Sequence, residues 1–457
     1  MKDLTVGNES KLILNFALPM LLGNVFQQLY NVVDSIVVGQ FLGKAALAAV
    51  GITMPLIFTL ISLIVGLSIG FNVIIAQYFG AKDYKNVQRT VDTMNIILFI
   101  SSAIFTIVGL LLMDNVLTLI KTPADIHVQA IQYLRVYLLG LVFFFGYNGN
   151  AAIYRGMGDS KTPLYFIILS TILNIGLDLL FVAVFDWGIE GAAWATIIAQ
   201  GIAFITSIFY INKFHDFLKF KFWNFSFDSY IMKKSIQIGL PTALQQSFVA
   251  LGMVALLSVV NAFGTDVVAA YSIATRIESF VALPAMNFAA ALSTFVGQNI
   301  GAQRIDRVKK GYFATLKMTL LITIVSTLII LIFSYPLTRL FTEDLAVINI
   351  SRGYLNIVSF FFVFFTAMFV NSGVLRGAGD TLIPMFITLF SLWVIRIPLA
   401  YLISKSFGYI GIWWAIPVAW FFGMLFSYSY YKIGRWKNKS VVKKYIPTEE
   451  IDVVAEP

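Results

Sequence analysis

The stretch Gly43–Thr90, GKAALAAVGITMPLIFTLISLIVGLSIGFNVIIAQYFGAKDYKNVQRT, decides the fold because it occurs twice. Moved forward by 221 residues it lies without a gap on Gly264–Gly311, GTDVVAAYSIATRIESFVALPAMNFAAALSTFVGQNIGAQRIDRVKKG. Gly43, Ala48, Ala49 and Ile52 meet Gly264, Ala269, Ala270 and Ile273; Gln77, Gly80, Ala81 and Val87 meet Gln298, Gly301, Ala302 and Val308. At the same offset Arg155-Gly156-x-Gly158-Asp159 with Pro163 recurs as Arg376-Gly377-x-Gly379-Asp380 with Pro384. One residue of slippage then aligns Gly191, Trp194 and Ala195 with Gly411, Trp414 and Ala415. The chain is two copies of one unit.

Composition says what kind of unit. Of 457 residues, 59% are hydrophobic and 12% charged, with a mean hydropathy of +0.84, against ~45–50% and ~25% in soluble domains. Apolar blocks alternate with short polar connectors, and a bilayer span needs ~20 apolar residues. Twelve spans are expected, at roughly 12–38, 47–76, 91–113, 130–153, 163–184, 190–212, 235–262, 271–297, 311–333, 348–374, 382–403 and 409–431. Six spans per unit is an even number, so both units enter the membrane in the same direction and are related by an axis along its normal. The expected fold is an all-α polytopic membrane protein of twelve helices in two parallel-repeat lobes. The N-lobe is 1–212, an interfacial linker 213–234, the C-lobe 235–431 and a tail 432–457. The linker stretch Lys213–Asp228 mixes Lys with Phe and Trp, which suits the headgroup boundary. The tail turns basic and then acidic, and is read as short and partly disordered.

Charge orients the bundle. With the N-terminus inside, 23 of the 32 Lys+Arg fall on inner connectors and tails, and six on the outer side. This bias predicts cytoplasmic termini in a plasma-membrane protein, and it accounts for most of the +9 net charge without nucleic acid. No cleavable signal peptide is expected, since the first apolar stretch is too long for one. Zero cysteines exclude thiolate sites, and two distant histidines, His127 and His215, make a zinc site improbable. No catalytic dyad or cofactor motif is present. Gly39–Lys44, GQFLGK, is one residue too short for a phosphate-binding loop and has Ala45 where that loop has Ser/Thr. An enzyme and an ATP-driven pump are both excluded.

Ionisable side chains inside a bilayer are costly and mark function by default. Asp34, Asp178, Arg276, Glu278 and Arg396 meet that test. In the first span Asn24, Gln27, Gln28, Asn31, Asp34 and Ser35 recur at spacings of three and four, a polar stripe over about 120° of the helix. Such a stripe faces a wet cavity. Asn174 and Asp178 share a face of the fifth span. Asp34 and Asp178 lie roughly 33 and 22 Å along their helices, both in the outer half, where two carboxylates in one cavity compete for a proton or small cation. Gln27, Gln28, Asn31, Asn150, Glu278 and Arg396 are further cavity-lining candidates. Arg276 is the expected local compensation for Glu278, while Arg396 needs a partner from another helix or an anionic ligand. The twin RGxGD clusters are read as structural or gating hinges.

The blocks VDSIVVGQFLGKAALAAVG (Val33–Gly51), AQYFGAKD (Ala76–Asp83) and RGMGDSKTP (Arg155–Pro163), with their second-half echoes, resemble the multidrug and toxic compound extrusion (MATE) family over residues 10–435. The resemblance is closer to the DinF-like branch than to the NorM-like branch, whose seventh-span Glu is absent here, with Gln245 and Gln246 in that span. It implies outward extrusion of amphipathic, often cationic organic compounds in exchange for H⁺ or Na⁺, by a rocking motion and with no other cofactor. It also implies a cation-coupling site, a possible Na⁺ site, at Asp34, Asn174, Asp178 and Thr196. Small molecules and the bilayer are the expected partners, and a monomer the expected state. The rival reading is a flippase for a lipid or lipid-linked oligosaccharide, which calls for a cavity rich in Arg and Lys.

Overall fold

The computed structural model describes residues 2–214, 218 and 226–442; ten residues of the expected interfacial linker, 215–217 and 219–225, and the tail beyond Val442 lie outside them. Fifteen helices follow one another: α1 (Glu9–Val37), α2 (Gly43–Gly80), α3 (Tyr84–Leu119), α4 (Ala124–Leu139), α5 (Leu141–Gly156), α6 (Lys161–Asp178), α7 (Gly188–Phe214), α8 (Ser229–Asn261), α9 (Thr265–Gly301), α10 (Ile305–Arg339), α11 (Leu345–Ser359), α12 (Phe362–Gly377), α13 (Leu382–Leu389), α14 (Ile397–Phe407) and α15 (Tyr409–Ile433). A bilayer core offers backbone groups no water, so a spanning chain must satisfy them within helices.

Among the described residues nine helical runs are long and apolar enough to cross a membrane, and eleven when the bent pairs α4/α5 and α11/α12 each count as one. The longest, Glu9–Gly80, has 72 residues; as one rod it would measure about 108 Å, over three times the hydrocarbon core. It breaks at Gly43, where φ is +81°, a left-handed conformation that costs glycine nothing. Gly264, its repeat equivalent, has φ +92° before α9. Counting α1 and α2 separately gives the twelve spans expected. The bends in the corresponding fourth and tenth spans, 49° and 51°, carry the repeat into the backbone. Connector acids and amides start the helices: Asn8 accepts the Lys11 N–H at 3.0 Å, and Asp83 the Asn86 N–H at 3.1 Å.

The first and last described segments of the chain lie at one end of the bundle, called here the terminal face, and the halves are joined there. Gln77 of α2 donates to the Gly377 carbonyl at 3.1 Å, and its equivalent Gln298 of α9 donates to the Gly156 carbonyl at 3.0 Å. A Cβ at Gly80 would meet the Gln298 carbonyl oxygen at 1.9 Å, and one at Gly301 the Gln77 carbonyl oxygen at 1.8 Å. Each glutamine also accepts a backbone N–H from one chain end, Leu4 on Gln298 at 2.9 Å and Val441 on Gln77 at 2.7 Å. The ends therefore cross over. Leu4, Leu12, Ile13 and Phe16 pack with α9, α10 and α12 of the second half, where Arg307 pairs with Glu9 at 3.0 Å. After α15 the chain stays ordered enough to bury Trp436 and to dock Ser440 and Val441 on the first half. Further out the halves touch through Asn24–Asn287 (2.7 Å), Asn72–Thr294 (3.4 Å) and Ser62–Ser247 (3.2 Å). Toward the far face Met54 and Phe58 of α2 and Leu251, Met253 and Val254 of α8 are exposed.

This sealed face makes a direct prediction. Gly80→Val places two extra methyl groups and a Cβ into the Gln298 backbone, and overpacking of this kind costs about 1–3 kcal/mol. Thermal unfolding of the purified variant in detergent should show that loss; a midpoint equal to wild type would mean that Gly80 does not lie against the Gln298 backbone.

Candidate functional site

The polar stripe of α1 is real and divides in two. Its buried edge carries Asp34, within charge-interaction range of Asp178 of α6; Gln27, Gln28 and Asn31 are exposed, Gln27 and Asn31 on the side away from the exposed apolar row Leu18, Leu22, Val25, Leu29, Val32 and Ile36, and Gln28 at its border. The apolar row suits lipid and the amide row suits the cleft between the halves. Asp34 therefore sits at the seam where α1 leaves the cleft and enters the first half.

On that seam the four residues of the expected coupling site come together. Asn174 and Asp178 of α6 are fully buried, and Asp34 and Thr196 nearly so. Asn174 Nδ2 reaches Thr196 Oγ1 at 3.5 Å, and Thr196 also shares a hydrogen bond of 2.9 Å with the Tyr30 hydroxyl. Asp34 and Asp178 are close enough for their charges to interact. Asp34 Oδ1, Asn174 Oδ1 and both oxygens of Asp178 are shut off from solvent without a hydrogen-bond donor. Asn174 lies beside Asp178, but its geometry falls short of a bond. Acceptors without donors in a low-dielectric site are costly. A proton or a small hard cation is what such a set fits, since sodium-sized ions take carboxylate, amide and hydroxyl oxygens.

Several features were beyond the sequence reading. Tyr30 precedes Asp34 by four residues, so helical spacing carried the signal. Tyr133 of α4 senses both carboxylates, and Tyr137 stacks on it at 6.5 Å; nothing in the sequence joins them to α1. Wide π-type turns occupy Val38–Leu42 and Leu179–Val184, just past the two acids, and Phe390–Arg396 in the corresponding eleventh span. Such turns are frequent at functional sites.

Two expectations need correction. Asn150 does not line a cavity: it is buried between α5 and α7, donating to Ser207 Oγ at 2.6 Å, and Asn148 lines the central cavity instead. Arg276 does not compensate Glu278. It is exposed, because two residues along a helix is about 200° of rotation. Glu278 instead accepts the Tyr354 hydroxyl and interacts with the charge of Arg396 from the eleventh span. For Arg396, expected to find its counter-charge on another helix or in an anionic ligand, the interacting acid from another helix is Glu278, with no ion-pair contact between the two.

A buried acid–amide cluster on the seam between a six-helix half and an interlobe cleft defines a two-lobed membrane transporter. The chain belongs to the MatE family, whose profile matches it twice, over residues 19–180 and 241–402, once in each repeat. It is 35% identical over 440 residues to the "Probable multidrug resistance protein YpnP" of Bacillus subtilis, covering 95% of this chain and 97% of that one. To the "Probable multidrug resistance protein NorM" of Thermotoga maritima it is 27% identical, covering 95% and 94%. Among solved structures it matches the outward-facing conformation of a multidrug resistance MATE family transporter with a TM-score of 0.89, at 26% identity, over 96% of this chain and 99% of that one.

The cluster makes a prediction about stability. Asp178→Asn replaces a buried charge lacking donors by a neutral amide able to donate to Asn174. In mildly alkaline buffer the variant should be more stable than wild type by about 1–3 kcal/mol, read from thermal unfolding. A less stable variant would show that the fold relies on the charge.

Proposed function

We propose that the protein is a secondary multidrug efflux antiporter, exporting amphipathic, often cationic compounds in exchange for H⁺ or Na⁺. The observation that carries this reading is the set of four buried acceptor oxygens on Asp34, Asn174 and Asp178 without donors. The names of the relatives support the substrate class, and the Lys/Arg bias supports a plasma-membrane protein with the terminal face in the cytoplasm. In that orientation the cleft opens outward and the glutamine–glycine contacts close the cytoplasmic side.

Binding of a proton or Na⁺ between Asp34 and Asp178 removes their repulsion and supplies the missing partner. The outer part of α1 then repacks on α6, its amide stripe withdraws from the cleft, and bound substrate is released outward. The return step rocks the halves about their contacts, parting Gly80 from Gln298 and Gly301 from Gln77. A ligand shifts such an equilibrium only by its differential affinity for the two states, so cation and substrate must favour different ones. Neutralising Asp34 uncouples them.

The test is uptake of a fluorescent cationic dye into inverted vesicles containing the purified protein, with Na⁺ and pH gradients imposed separately. One gradient should drive uptake in wild type, and Asp34→Asn, present at equal amount and folded, should lose at least about tenfold of it, the equivalent of ~1.4 kcal/mol. Unimpaired dye uptake by that variant would sink the mechanism.

A further inference from the structure

The twin RGxGD motifs place two arginines in one cavity. Arg155 and Arg376, equivalents 221 residues apart, stand in the last turns of α5 and α12 and both line a cavity of about 140 Å³ between the halves. Ser68 and Asn72 of α2, Asn148 of α5 and Ser293 and Thr294 of α9 complete its polar lining. Two guanidinium groups within the bundle call for compensating negative charge. Among the described residues neither is in an ion pair. The acids of their own motifs are engaged elsewhere. Asp159 accepts from the Lys161 and Thr162 N–H groups and the Thr162 hydroxyl, starting α6, and Asp380 accepts the Tyr430 hydroxyl at 2.6 Å. What the arginines do hold is neutral: Arg155 Nε donates to the Ala151 carbonyl at 3.1 Å, and Arg376 donates to Gln245 at 3.2 Å. Arg376 Nε and Ser68 Oγ are buried without any partner.

We infer that this cavity binds the phosphate head of an anionic amphiphile. Paired planar forks with hydroxyl and amide donors match the oxygens of a phosphate. The volume is well below the ~300–1,000 Å³ that enclose drug-sized ligands. Arg155 also lines an adjoining cavity of about 60 Å³, whose apolar wall includes Pro19 and Gly23 of α1 and Leu164 and Ile167 of α6. Leu18 and Leu22 of α1 and Tyr165 of α6 are exposed, so the apolar tail of the amphiphile is proposed to leave on the side of α1 and α6, where Gly23 packs on Ile167 and Leu164 and the two helices have to part for it. The RGxGD cluster is thereby a ligand site in addition to a turn: its glycines and acid shape the connector and its arginine faces the ligand.

Binding is tested without transport, so its outcome is independent of the dye-uptake experiment. Purified protein in detergent is titrated with dihexanoyl phosphatidic acid, with dihexanoylglycerol, which lacks the phosphate, and with inorganic phosphate. Dihexanoyl phosphatidic acid should bind, dihexanoylglycerol should not, and the Arg155→Gln/Arg376→Gln variant should bind about tenfold more weakly or worse. Ser68→Ala and Arg155→Lys, milder changes whose thermal midpoints serve as folding controls, should give intermediate losses. Displacement of the amphiphile by millimolar inorganic phosphate would assign the site to phosphate from either source, and no displacement would assign it to the lipid head. Equal affinity of the double variant, or equal binding of dihexanoylglycerol, overturns the inference.

Discussion

The two halves are held at a single distance by backbone packed on backbone. Where α2 ends and where α9 ends, a glycine lies against the carbonyl of the glutamine from the other half, too close for any side chain. Those glutamines then bind the RGxG carbonyls of the opposite repeat and clasp the chain ends. Because the contact is formed twice around a pseudo-twofold axis, neither half can shift at this face without opening both. The cleft, the cavity above it and the exposed amide row of α1 all follow from that closure.

The repeat sets the frame, and divergence within it sets the chemistry. Tyr133 and Tyr354 are equivalents, each at the heart of a buried polar cluster in its own half. In the first half the tyrosine interacts with the charges of Asp34 and Asp178, beside Asn174 and Thr196, and among the described residues no cation pairs with either acid. In the second it donates to Glu278, which has Arg396 nearby. One cluster is charge-deficient and the other internally balanced. A balanced cluster in a low dielectric is a fixed structural element, whereas an unbalanced one responds to whichever cation reaches it. This asymmetry is the physical reason for placing coupling in the first half alone.

Much of this was legible in the primary structure. Span number, direction and the parallel repeat follow from hydropathy and a gapless self-match, because bilayer thickness leaves little latitude in helix length. Asp34 and the Asn174–Asp178 pair were visible because buried charge in an apolar segment is rare. Asn150 was misread for the converse reason: an isolated amide gives no sign whether it faces a cavity or another helix, and Ser207, 57 positions away, decides that. Arg276 and Glu278 looked paired by proximity, yet helical rotation separates them.

The sequence by itself determined the membrane class, the twelve helices and the twofold repeat, and it named Asp34, Asn174 and Asp178 as polar residues whose burial has to be compensated, with Thr196 added by the family resemblance. Only the tertiary structure decided which distant groups meet. It brought Tyr30 to Thr196 and Glu278 to Tyr354 and Arg396, set the crossed chain ends on Gln77 and Gln298, and gathered Arg155 and Arg376 around one cavity. Periodicity along a helix reports which face a residue occupies. What stands opposite that face is set by helix packing between segments up to hundreds of residues apart, and that information exists only once the bundle has closed.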